Sequence, residues 1–229
     1  MASTLKIISS MATRQLLADL IGRFQADHPQ PLIQAEAVGG VDAAKRVQAD
    51  EAFDVVVLAS DAIDKLIAAG KALAPRFDVV SSGVAVAVQA GAPRPDISTE
   101  AALKQAVLAA PTLSYSTGPS GVQLAKLFER WGIADEIKPR IVQAPPGVPV
   151  GSLVAKGEVA LGFQQLSEMM NLPGIDVIGP LPSEVQITTI FSAAIAITCA
   201  EPAAVQPLLS FLVSAQTAQL KHDNGMAPV

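Results

Sequence analysis

Two turns in this sequence put hydroxyls and glycines where a helix begins directly after a strand: Ser9-Ser10-Met11-Ala12 and Ser116-Thr117-Gly118-Pro119-Ser120-Gly121. A helix start leaves about four backbone N–H groups unpaired and carries roughly half a positive charge. Small and hydroxyl side chains there let a carboxylate or oxyanion come close. Pro119 suits a first turn, where its missing N–H costs little. Ser60-Asp61 opens a third helix, and Gly39-Gly40 ends the second strand in the same manner. Ordinary N-capping also places Ser and Thr at such positions. Recurrence in one chain is what favours an anion site over capping alone.

Arg14 lies a residue or two inside the first helix, where the helix dipole disfavours a cation. A bound carboxylate would compensate, and the planar guanidinium fork suits one; a solvated or ion-paired arginine is the alternative. Gln164-Gln165-Leu166-Ser167-Glu168 follows a buried strand, at the carboxyl end where open α/β sheets bind ligands. Gln165 is a candidate hydrogen-bonding group and Glu168 a candidate general base, with a solvated or capping glutamate as the plainer reading. Pro145-Pro146-Gly147-Val148-Pro149 stiffens a loop entering a further helix, and Val148 is taken as part of the ligand-facing wall.

Other chemistries find little support. No phosphate-binding Walker loop, Gly-x-Ser-x-Gly elbow or His-Glu-x-x-His motif is present. His28 and His222 stand apart from any residue at metal-ligand spacing, so neither a metal nor a cofactor is expected. The single cysteine, Cys199, excludes an internal disulfide and reads as a buried thiol in a strand. A net charge of −5 speaks against a nucleic-acid face, so any anion must be captured locally. Mean hydropathy is +0.41, yet every apolar run falls far short of the roughly 20 residues of a membrane span. The excess is core, and no membrane insertion is expected.

These residues must be positioned by alternating strands and helices, a pattern that predicts parallel sheets covered on both faces. Leu5 to Ile8 reads as a strand, followed by a helix with Leu16, Leu17, Leu20, Ile21 and Phe24 on one face. Strands follow at Leu32 to Val38 and Val55 to Ala59. Helices follow at Ala43 to Gln48 and at Ala62 to Ala69, the latter with Ser60 or Asp61 as N-cap. Val79 to Ala90 reads as a long strand interrupted by Ser81-Ser82-Gly83, and Gln186 to Thr198 as a second long run. Between them the pattern gives a helix at Glu100 to Ala109, a strand at Thr112 to Tyr115 and a helix from Val122 to Trp131. It continues with strands at Ile137 to Val142 and Ala160 to Phe163, and helices at Val148 to Lys156 and Leu166 to Met170; Ile175 to Ile178 is a further candidate for pairing. Two crossover strands divide the chain into residues 1–82 plus 190–229 and residues 83–189, with hinges near Ser82-Gly83 and Thr189-Ser192 and a ligand cleft between the lobes.

The serine turn after the first strand, Ala59-Ser60-Asp61 after the third, the Tyr115 to Gly121 turn, and Gly151 to Gly162 reading Gly-Ser-Leu-Val-Ala-Lys-Gly-Glu-Val-Ala-Leu-Gly are similar to landmarks of the periplasmic molybdate-binding proteins and their type II solute-binding relatives. The resemblance covers nearly the whole chain. It implies an α/β type II periplasmic-binding-protein fold with two lobes, each a mainly parallel sheet flanked by helices, that closes like a hinge on its ligand. It also implies ligand contacts at Ser10, Ser60 and the Ser116 to Gly121 turn. Molybdate binders typically carry Val-Tyr-x-Thr-Asp where this chain has Gln164-Gln165-Leu166-Ser167-Glu168, so Gln165 replaces the usual tyrosine. With Arg14, that departure favours an organic polycarboxylate over molybdate.

Relatives of similar architecture include aconitate isomerase, which interconverts trans- and cis-aconitate by an allylic proton shift; this is the alternative to transport or sensing. The N-terminus Met1-Ala2-Ser3-Thr4-Leu5-Lys6 lacks the pattern of a secretory signal. A periplasmic protein is expected if a signal has been removed, with an ABC permease as partner, and a cytoplasmic one otherwise. A monomer is expected in either case.

Overall fold

The computed structural model describes residues 4–145 and 148–229. In chain order the elements are β1 (Thr4–Ser10), α1 (Arg14–Asp27), β2 (Leu32–Val38), α2 (Gly40–Gln48), β3 (Val55–Ala59), α3 (Ser60–Ala68) and the long β4 (Ala72–Gln89). Then come α4 (Glu100–Ala109), β5 (Leu113–Tyr115), α5 (Pro119–Arg130), α6 (Ala134–Ile137), α7 (Val150–Ala155), β6 (Leu161–Gln165) and α8 (Leu166–Met169). The chain closes with β7 (Ile175–Pro180), β8 (Thr188–Ala196), α9 (Pro202–Leu212) and α10 (Ala218–Asp223). It divides into two compact units, residues 1–82 with 190–229 and residues 83–189. β4 and β8 each run through a unit boundary.

In the first unit, β1 lies between β2 and β3 and is parallel to both, while β8 pairs antiparallel with β3. All five residues of β3, Val-Val-Val-Leu-Ala, are buried, because helices cover both faces and alternation of side chains then offers no wet side. Ile7, Val55 and Val57 meet Leu16, Leu17, Leu20 and Phe24 of α1 and Leu208 of α9. Ile8, Val56 and Leu58 meet Val47 of α2 and Ile63 and Leu66 of α3. The register Ser10↔Val38 and Ser9↔Val57 brings the carboxyl ends of the three parallel strands side by side.

The second unit holds a mixed sheet in which β5 and β6 are parallel and β4 is antiparallel to β6 and β7. On one face Val84, Val86, Leu113, Leu161 and Phe163 pack on Leu103 and Val107 of α4 and Leu124 and Phe128 of α5. On the other, α7 contributes Val150, Leu153 and Val154, and Met169 of α8 packs against Ala85 and Ala87.

Four local readings are corrected. Ile137 to Val142 is not a strand: Lys138–Arg140 is a short 3-10 turn and residue 141 makes a lone bridge to Leu113. Pro139 fixes the turn backbone, and the Arg140 guanidinium donates to the carbonyls of Leu108 and Ala110, both at 2.7 Å. The third helix is N-capped by Ala59, so Ser60 is its first residue. Cys199 is buried but follows β8, which ends at Ala196. The first long strand begins at Ala72, not Val79, and within the first unit Asp78 accepts hydrogen bonds from Ser192 at 2.7 Å and Arg76 at 2.9 Å. Of the proline cluster, Pro146 and Gly147 lie outside the described residues.

Candidate functional site

The candidate residues fall into two groups, one in each unit. In the first unit, helical turns start where β1, β2 and β3 end: the 3-10 turn Met11–Thr13 leading into α1, then α2 at Gly40 and α3 at Ser60. None of the three N-cap residues, Ser10, Gly39 and Ala59, makes a side-chain capping bond. β1 has parallel neighbours on both sides, with α1 on one face of the sheet and α2 and α3 on the other. That reversal of winding is the switch point at which open α/β sheets leave a crevice for ligands.

A methyl group added at Gly40 would lie 3.7 Å from the Ser10 β-carbon, so the first two helix starts touch. Ser10 is 7% exposed, and its hydroxyl lies 3.5 Å from Thr13 Oγ1, which itself donates to the Ser10 carbonyl at 3.2 Å. Arg14 is exposed, and its side chain has no hydrogen bond or ion pair among the described residues. Ser9 is placed differently: its hydroxyl donates to the Glu36 carbonyl at 3.3 Å and serves the β1–β2 pairing. The Ala12 side chain belongs to the core, leaving only its backbone to face a ligand, and Met11 is partly buried. Asp42 and Asp61 occupy the first turns of α2 and α3 and lean toward Lys45 at 3.7 Å and Lys65 at 3.6 Å.

In the second unit the β5–α5 turn is built around Gly121, whose added β-carbon would lie 1.6 Å from the Ser116 carbonyl oxygen. The chain folds back so tightly that Ser116 and Ser120 bring their hydroxyls to 3.2 Å. Gly118 is the N-cap with extended backbone, and Thr117 is exposed. β6, parallel to β5, ends beside this turn: Tyr115 pairs with Phe163, one residue before Ser116 and Gln164 respectively. Val148 packs with the apolar cluster of α7, and its N–H donates to the Pro145 carbonyl at 3.0 Å.

Gln165, 3% exposed, is the N-cap residue of α8 and donates from Nε2 to Thr189 Oγ1 at 2.9 Å. Gln164, legible in the sequence only as half of a polar pair, is 5% exposed and donates to Glu168 Oε1 at 2.9 Å. Burial pushes the Glu168 carboxyl up to about 7, with the Gln164 amide pulling it the other way. Such a group is part acid and part base at neutral pH. No group of His, Cys, Asp and Glu fit to hold a metal ion is found among the described residues. No helix among them is long and apolar enough to cross a membrane.

Helix starts gathered at the carboxyl ends of parallel strands, in a chain whose β4 and β8 pass from one unit to the other, define an α/β solute-binding protein of the type II periplasmic kind. The chain belongs to the bacterial extracellular solute-binding proteins, a family that matches residues 5–227. It is 41% identical over 188 residues to an aconitate isomerase from Pseudomonas sp, covering 80% of this chain and 71% of that protein. The periplasmic molybdate-binding protein of Azotobacter vinelandii has the same fold, with TM-score 0.80, 19% identity and coverage of 98% of this chain and 99% of that one. A sulfate-binding protein from Mycobacterium tuberculosis gives TM-score 0.79 at 14% identity, covering 99% and 87% of the two chains.

Proposed function

We propose that this protein binds a small organic polycarboxylate at helix starts that follow the carboxyl ends of its parallel strands. The observation that carries the reading is the row of three helix starts at Ser10, Gly39-Gly40 and Ala59-Ser60, side by side and without side-chain caps. Backbone amides and hydroxyls there compensate negative charge in a chain of net charge −5. Arg14 supplies a fork for one carboxylate. Gln165 in place of a tyrosine favours carboxylates over a tetrahedral metal oxyanion, its amide exchanging Thr189 for a carboxylate oxygen as the ligand enters. As an extracellular solute-binding protein it would work in the periplasm with an ABC permease. Calorimetry with citrate and trans-aconitate against molybdate and sulfate tests this, and heat only from the inorganic anions overturns it.

Glu168 supports a second reading, isomerisation of an unsaturated tricarboxylate. A carboxyl near neutrality can take a proton from the methylene of trans-aconitate and return it to the former vinylic carbon, so that the double bond moves by one position and the proton count is unchanged. Helix-start amides and Arg14 would stabilise the delocalised anion formed between the two steps. The 41% identity to a protein named aconitate isomerase supports the same reading. Incubation with trans-aconitate, followed by chromatography for the cis isomer between about pH 6 and 9, a span that brackets the titration of such a carboxyl, tests it. Absence of turnover across that range rejects it.

A further inference from the structure

We propose that Gln164 is the positioning residue for Glu168, holding Oε1 so that Oε2 is the oxygen that exchanges a proton with the ligand. The inference rests on the reading of Glu168 as an acid–base group. Gly151, in the first turn of α7, donates its N–H to Gln164 Oε1 at 3.3 Å. That bond fixes which end of the amide points where, since an N–H can face only the carbonyl oxygen. Gln164 Nε2 is thereby turned to Glu168 and donates to Oε1 at 2.9 Å.

A carboxyl oxygen that accepts an N–H bond is a poor place for a proton, because the two hydrogens would confront each other. The acidic form of Glu168 therefore carries its proton on Oε2. Among the described residues Glu168 has no further hydrogen bond and no ion pair.

The surroundings leave this contact to act alone. α8 packs on β6 and β7, and the side chains meeting its Met169 are Ala85, Ala87, Ile175 and Val177. Asp176, the acidic residue of β7, alternates to the opposite face and pairs with Arg94 at 3.2 Å. Burial and Gln164 are the two influences acting on the Glu168 carboxyl. A β-carbon at Gly151 would lie 2.6 Å from Leu172 Cδ1, the end of a side chain that would have to turn aside.

The test is a carbon-13 NMR titration of the Glu168 carboxyl in the ligand-free full chain, its signal assigned by its loss in Glu168→Gln. In Gln164→Met, which keeps the volume and removes the donor, the proton affinity of Glu168 should rise about tenfold. The pH profile of trans-aconitate turnover should move in step, with kcat changed more than KM. Gln164→Glu keeps the shape if the methionine variant does not fold, and two facing carboxyls sharing one proton raise the midpoint further. An unchanged midpoint in both variants overturns the proposal, even if the protein turns over aconitate. A shifted midpoint without any turnover upholds the contact and rejects isomerisation.

Discussion

Gly121 and Ser116 stand in backbone contact that no side chain permits: a β-carbon on residue 121 would sit 1.6 Å from the Ser116 carbonyl oxygen. The contact folds the start of α5 back onto the end of β5 and sets the 3.2 Å approach of the Ser116 and Ser120 hydroxyls. Gly121→Ala must displace the turn backbone, since a carbonyl held by its own chain cannot swing aside as a flexible side chain does. Overpacking of this kind costs about 1–3 kcal/mol. The variant is expected to unfold at lower temperature and to lose at least about tenfold in affinity for its anion. Thermal denaturation and calorimetry check the two effects.

Arg14 separates ligand binding from stability. Exposed and without an intramolecular partner among the described residues, it contributes little to the fold. Arg14→Ala should leave the thermal midpoint unchanged while polycarboxylate affinity drops about tenfold or more, the scale of a charge-assisted hydrogen bond. Unaltered affinity in a calorimetric titration would remove Arg14 from the site.

Glu168 gives stability a pH dependence of defined sign. Its folded value of about 7 lies above the ordinary 4.5, so between those limits the folded protein holds more protons than the unfolded chain and stability falls as pH rises. Its favourable contribution is complete below the ordinary value and gone above the folded one, a change on the order of 3 kcal/mol. Glu168→Gln should flatten this slope, which urea denaturation at about pH 5 and about pH 8, points that span most of the window, measures directly.

Ser114 is buried in β5 with a hydroxyl oxygen that has no hydrogen-bond partner among the described residues. It is the register partner of Gly162, whose face is covered by Val150 and Val154 of α7. Removing an unpaired buried hydroxyl relieves its desolvation, so Ser114→Ala should be neutral or stabilising by up to about 1 kcal/mol. Chemical denaturation reads this out, and a loss of stability would reveal a partner for the hydroxyl.

The elements legible in the sequence are those set by local pattern. Leu16, Leu17, Leu20, Ile21 and Phe24 recur at helical spacing and are all buried in α1. The serine and glycine turns mark strand-to-helix junctions because small and hydroxyl residues there answer a local backbone need. What escaped depends on distant partners. The start of β4 runs through Pro75, Arg76 and Asp78 and looks unlike a strand, yet Asp78 is tied to Ser192, 114 residues away. Ile137 and Ile141 mimic strand residues, but Pro139 and the hold of Arg140 on two carbonyls of the α4 end impose a turn. In the candidate site Glu168 was visible as a residue type. Its near-neutral carboxyl comes from packing of α8 on β4 and β7, and its partner Gln164 is fixed by an amide of α7; neither contact leaves a mark on the local pattern.

Whether these helix starts serve carboxylates is decided most directly by calorimetric titration of the purified protein with trans-aconitate, and with molybdate in parallel. Binding of the tricarboxylate, weakened in Arg14→Ala and at least about tenfold tighter than molybdate, is the predicted result. No heat with trans-aconitate or citrate, or tighter binding of molybdate, would contradict it.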